Sequence, residues 1–214
     1  MTEHLHETTK KIKQSLRLSM NGIVSMHQRK QGLDYKINFG VEVPRLKSIA
    51  QEYTPDKELA NALWQENIRE CKLLAIFLMP QEHYSEIAEK WIAETPFTEI
   101  ADHLAMNILC KLPTATSDAL RWIEQGEGLA QYCGYLTLTH LIRKGGRLSP
   151  ADEEKFCKRI SALFTGDANS PLTRTAFTAL CRYIDTDESR ARSICAIAGE
   201  GSKLSAMIAD YTGR

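Results

Sequence analysis

Residues 95–111 read TPFTEIADHLAMNILCK. The pattern predicts a helix. Thr95 is a residue type that caps, and Pro96 suits the first helical position because proline lacks the N–H that would be left over there. Phe97, Ile100, Ala101, Leu104 and Ile108 recur at a spacing of about 3.6 residues and make one apolar face. Asp102 falls off the centre of that stripe, on the flank it shares with Thr98. A carboxylate there is either solvated or held out for use.

The rest of the chain repeats this design. Ile12, Leu16, Met20, Ile23 and Val24 share a stripe over residues 8–30, which predicts a long helix broken near Gly22. A loop with two glycines, GLDYKINFGVEV, spans 32–43. Pro44 opens the next helix and Thr54-Pro55 the one after. Asn67 and Glu70 have capping-box spacing before an apolar helix that Pro80 ends. Ile87, Ala88, Trp91 and Ile92 group within 82–94. Ser117 is placed to cap another helix, and Gly126 and Gly128 separate it from 129–142. Ser149-Pro150 and Ser170-Pro171 start two more, Asp185 and Glu188 frame a further start, and Ser202 begins the last. About a dozen helices and no strand follow, hence an all-α chain. The cap-proline pairs at 54 and 95 lie 41 residues apart, within the range of HEAT-type helix pairs. The expected architecture is one domain over 1–214, an α-α superhelix of degenerate antiparallel helix pairs, curved with a concave face.

Composition fits a globular chain, with 43% apolar and 25% charged residues. No run reaches the length of a membrane span and residues 1–10 lack a signal-peptide core, so cytoplasm is the expected compartment and no membrane partner is expected. The six cysteines form no CxxC pair, and neither a metal nor a cofactor is expected. The net charge of zero hides a pattern. Residues 1–50 carry nine Lys/Arg against four Asp/Glu, 51–100 four against ten, and 143–192 ten against seven. A local basic face is what nucleic-acid binding requires, so neutrality does not exclude it.

The segments FGVEVPRLKSIA (39–50), ELANALW (58–64), ECKLLAIFLM (70–79) and WI…FTEIADHLA (91–105) resemble the AlkD-like DNA alkylation repair family of HEAT-like solenoids. The resemblance covers roughly residues 8–195. It implies excision of cationic alkylated purines such as 3-methyladenine and 7-methylguanine, and it places the catalytic carboxylate on Asp102. The leaving base is already cationic, so one carboxylate that stabilises an oxocarbenium-like sugar and orients water is enough chemistry. In the family two tryptophans contact the lesion sugar and an arginine holds the backbone. Here Thr98 and Thr178 stand at the tryptophan positions, and no arginine or lysine occurs from Trp122 to Ile142, where the family arginine belongs.

The partner implied is duplex DNA, held through its backbone. Candidate contacts are Lys10, Lys11, Lys13 and Arg17, then Arg45 and Lys47, the turn cluster Arg143, Lys144 and Arg147, and finally Lys158, Arg159, Arg174 and Arg182. The competing reading is a non-enzymatic helical-repeat scaffold for a protein or nucleic-acid partner. The two differ in what they predict for Asp102: exposed in a trough in the first, ion-paired to a nearby Lys or Arg in the second.

Overall fold

The periodic apolar stripes become helices. The computed structural model describes residues 3–166, 170–187, 189–199 and 201–213. In chain order the helices are α1 Glu3–Leu18, α2 Gly22–Lys30, α3 Val43–Ala50, α4 Lys57–Trp64, α5 Arg69–Leu78, α6 Tyr84–Ala93, α7 Thr98–Asn107, α8 Ala115–Gln125, α9 Leu129–Arg143, α10 Pro150–Leu163, α11 Pro171–Ile184, α12 Ser189–Ala198 and α13 Lys203–Thr212. Two short 3₁₀ turns precede α6 and follow α7. Among the described residues the extended pairing is a single parallel bridge, Ile37 to Ile68. No described helix is long and apolar enough to cross a membrane.

Two compact units divide at Glu89 and Lys90, inside α6. In the first, α4 and α5 pack as a pair and run antiparallel, since Asp56 N–H at the start of α4 donates to Leu78 O at the end of α5, 3.0 Å away. α1 lies on α4, and α3 on α5. The loop before α3 is fixed by a buried carboxylate. Glu70, fully buried, accepts from Phe39 N–H at 3.1 Å and Val41 N–H at 3.2 Å. The buried Arg69 guanidinium bonds Glu70 Oε1 at 3.1 Å and Val41 O at 2.9 Å. Glu70 therefore does not close a capping box. Asn67 Oδ1 accepts from Lys36 N–H instead, and Ile68 stands at the N-cap of α5 with no side-chain cap bond. The loop's need for an acceptor outcompetes the local cap.

In the second unit the helices form two rows. α8, α10 and α12 pack in sequence as one row, and α7, α9 and α11 as the other, with α8 against α9, α10 against α11 and α12 against α13. α9 sits at the centre, burying Cys133, Gly134, Tyr135, Thr137, Leu138, Thr139 and Ile142. Gly134 is required there, because a Cβ would stand 2.8 Å from both Ala119 O and Ile123 Cγ1 of α8. Tyr135, Phe156 and Tyr183 tie α9, α10 and α11 through tilted and edge-on ring contacts at 6.2 and 6.1 Å. Trp64, Trp91 and Trp122 are all buried, as helix-packing residues should be.

Several expected boundaries move by a turn or less. Thr95 does not cap α7. Its hydroxyl donates back to Trp91 O at 2.6 Å, finishing α6, and α7 starts at Thr98 after Phe97. Asp56, not Thr54, caps α4 by accepting from Leu59 N–H at 2.7 Å. α8 begins two residues before Ser117, whose hydroxyl bonds Thr114 O. The break expected near Gly22 falls between Leu18 and Gly22, and Asn21 caps α2 by accepting from Val24 N–H. Met20 and Ile23 leave the stripe predicted for them and stand in solvent. Asp185 ends α11, and Glu188 lies outside the described residues. The caps at Ser149, Ser170 and Ser202 form as expected, accepting from Asp152, Thr173 and Ser205 N–H.

Candidate functional site

α7 buries Ile100, Ala101, Leu104 and Ala105, which turns Thr98, Glu99 and Asp102 to its other side. Thr98 and Asp102, one turn apart, are exposed, and Glu99 is half-buried. α9 packs on α7 and α11 packs on α9, bringing two hydroxyls to this flank. The Tyr132 hydroxyl stands beside the Asp102 carboxylate and the Thr175 hydroxyl beside the Tyr132 phenol, each within reach to donate. Asp102 is the fifth residue of α7, Tyr132 the fourth of α9 and Thr175 the fifth of α11. The three helices thus present corresponding points of their amino-terminal halves to one another.

Asp102's carboxyl is pushed up to about 6 from its ordinary 3.8. Loss of hydration among the surrounding helices is the main cause, the neighbouring charge of Glu99 adds to it, and the Tyr132 hydroxyl pulls the other way. Asp102 is nonetheless exposed by area, so this desolvation is partial. The Tyr132 phenol is raised mainly by burial, and the adjoining Cys133 thiol is pushed up to about 12 by burial and then by the Asp102 charge. Among the described residues no Lys or Arg forms an ion pair with Asp102. The arrangement is a carboxylate oriented by a hydroxyl chain, with its charge uncompensated by a cation.

Thr178 lies on α11 close to Thr175 around the helix, exposed, with its hydroxyl returned to Arg174 O at 2.9 Å. Arg174 is exposed one turn before Thr178 on α11, and Arg143 and Arg147 are exposed at and after the end of α9. Lys144 reaches Cys110 Sγ at 3.5 Å. Lys158 pairs with Glu154 at 2.6 Å and Arg182 with Asp185 at 3.2 Å, both on the surface. The Arg159 guanidinium closes the carboxyl end of α8, donating to Ile123 O at 3.2 Å and Glu124 O at 2.8 Å. In the first unit Lys10 approaches Glu7, Lys13 binds Glu66, Lys47 lies over the Phe77 ring, and Arg45 reaches Ser19. Lys11 and Arg17 are exposed on α1.

Sequence reasoning picked out Asp102, Thr98 and Thr178 but missed Tyr132 and Thr175. Tyr132 lies in the first turn of an apolar helix and nothing local marks it. Its role exists only once α9 is wedged between α7 and α11. No group of three or more His, Cys, Asp or Glu that could hold a metal occurs among the described residues. A hollow of about 780 Å³ is lined by residues of the first unit such as His4, Lys11, Glu52 and Asp56, and includes none of Thr98, Asp102, Tyr132, Thr175 and Thr178.

Stacked helix pairs with a hydroxyl-held carboxylate on one helix row define a HEAT-like helical-repeat protein. The chain belongs to the DNA alkylation repair enzyme family, whose model matches residues 27–200. Its fold is similar to a solved structure described as "A new family of proteins related to the HEAT-like repeat DNA glycosylases with affinity for branched DNA structures". The TM-score is 0.72 and the identity 18%, over 96% of this chain and 94% of that one. No curated protein sequence matches the chain.

Proposed function

We propose that this protein binds duplex DNA and that Asp102 acts on a cationic centre in it, excising N3- or N7-alkylated purines. The observation that carries the reading is the state of Asp102. It is oriented by Tyr132 and has no Lys or Arg ion pair among the described residues. A carboxylate that must meet a positive charge acts best with no competing cation beside it. In the reaction the C1′–N bond breaks with its electrons passing to the cationic base, which departs neutral. The Asp102 carboxylate stabilises the resulting oxocarbenium sugar. Water adds to C1′, and its proton passes to Asp102 or solvent. The ionised form is required, so the rate rises with pH through about 6. We assign the phosphates to Arg143, Arg147 and Arg174, which are exposed on the same unit.

One sequence feature favours a second reading, DNA binding without excision. Thr98 and Thr178 remove the aromatic walls the family places at the lesion, and the structurally similar protein is described as having affinity for branched DNA. Release of methylated purines from alkylated duplex, measured for the native protein and Asp102→Asn beside duplex and four-way-junction binding, separates the two. Release abolished in the variant with binding retained supports excision. Binding without release by either protein leaves the second reading. No binding even at low salt refutes both.

A further inference from the structure

The end of α1, the linker and α2 form a corner where large apolar side chains face solvent. Leu18 is 82% exposed, Met20 60%, Ile23 78% and Met26 53%. Eight large apolar side chains are exposed among the described residues, and four of them fall within this nine-residue span, so they are concentrated in one short stretch of chain. α2 buries none of its residues. A nine-residue helix has little stability of its own, and this one is held by its backbone instead of an apolar face. Asn21 N–H donates to Phe39 O at 2.9 Å, and Ser25 Oγ to Asn38 O at 2.7 Å. Gly40, at φ 70°, lies so close beneath that a Cβ would meet Asn21 O at 2.2 Å and Ser25 N at 2.6 Å. α2 is thereby stapled to the loop that Glu70 fixes, with Ile23 and Met26 turned outward.

The surroundings are cationic. From Gln14 to Leu33 there is no Asp or Glu. Arg17 neighbours Leu18, and Lys30 shares the flank of Ile23 and Met26 at helical spacing. Arg45 Nε reaches Ser19 Oγ at 3.4 Å, bringing a third cation to the corner. The next acid, Asp34, stands at the rim 3.7 Å from Arg29. An apolar tip ringed by positive charge complements a polyanion that also offers flat apolar faces. DNA offers both where a base pair has lost its stacking neighbour. A membrane surface would call for a longer apolar stripe than this corner has.

We propose that the α1–α2 corner docks on DNA at a branch or gap. Leu18 and Met20 cover the unstacked base-pair face while Arg17, Lys30 and Arg45 take the flanking phosphates. The inference rests on the DNA-binding half of the function proposed above and not on the chemistry at Asp102.

The test compares the full-length native chain with Leu18→Ser/Met20→Ser, whose changes touch only exposed positions. Binding to a four-way junction, a gapped duplex and an intact duplex is followed by fluorescence anisotropy, with 2-aminopurine at the branch point reporting stacking. The native protein should favour the branched and gapped DNAs and change the 2-aminopurine signal. The variant should lose that preference by about tenfold, the order expected for removing one or two apolar contacts, with intact-duplex binding within about twofold. An unchanged preference in the variant, or a native protein that binds all DNAs alike, overturns the inference while leaving DNA binding intact. A native protein that binds no DNA fails the function reading itself. Binding to phosphatidylserine vesicles, or self-association, that the variant loses while DNA preference stays unchanged would assign the corner to a membrane or a second copy and overturn the proposal.

Discussion

Replacing Asp102 by Asn should stabilise the protein at neutral pH. The carboxyl sits at about 6 in the fold against an ordinary 3.8, so the folded chain holds that proton more tightly than the unfolded chain. Its effect on stability is absent below about 3.8, grows as a loss between about 3.8 and 6, and is fully present as destabilisation above. For an enclosed group a shift of about two units would be about 3 kcal/mol. Asp102 is exposed by area, and solvent screening reduces that to about 1 kcal/mol. Asn removes the charge and keeps an oxygen that can accept from Tyr132. Urea unfolding of both proteins from pH 4 to pH 8 measures the difference, in which the other titrating groups cancel. The variant should gain about 1 kcal/mol at pH 7.5 and converge on the native protein as pH falls towards 4. A variant equally or less stable at pH 7.5, or a gap that does not change with pH, would refute the reasoning. Asp102 would then be a structural carboxylate. A group that costs stability when ionised is the kind a binding or catalytic site retains.

Two further outcomes follow from the packing. Glu70→Ala deprives Phe39 and Val41 N–H of their acceptor and removes the anion beside the buried Arg69, so it should cost about 3–5 kcal/mol in urea unfolding and speed amide exchange at residues 39 and 41; a cost below about 1 kcal/mol would refute this account of the loop. In the native state a thiol-reactive disulfide should titrate Cys195 rapidly and the other five cysteines only on unfolding, because those five are buried and burial pushes Cys71, Cys133 and Cys157 up to about 12 and Cys181 to about 11. Rapid reaction of a second thiol would show that one of these helix contacts opens readily.

The local parts of this protein were legible in its sequence. Apolar spacing marks the buried faces of α1, α6 and α7, because a helix that must bury one side repeats its apolar residues every three or four positions. Ser149, Ser170 and Ser202 cap where they were expected to, since a cap is a bond between residues three apart. Asp102 could be picked out because it departs from its own stripe, and the motif around it carries the family resemblance. What the sequence could not decide depended on partners far along the chain. Glu70 has capping-box spacing to Asn67 yet serves a loop 29 to 31 residues away. Thr95 turned back to finish α6 because an orphan carbonyl lay nearer than the helix it was expected to start. Met20 and Ile23 kept helical spacing but found no neighbour to bury against, so periodicity alone did not place them. Tyr132 and Thr175 carried no local sign at all. The Tyr132 hydroxyl reaches Asp102, and the Thr175 hydroxyl reaches Tyr132, only because α9 packs between α7 and α11. Periodicity and capping are written in residues three or four apart. The environment that sets a carboxyl near 6 is assembled from three helices, and only the tertiary structure decides it.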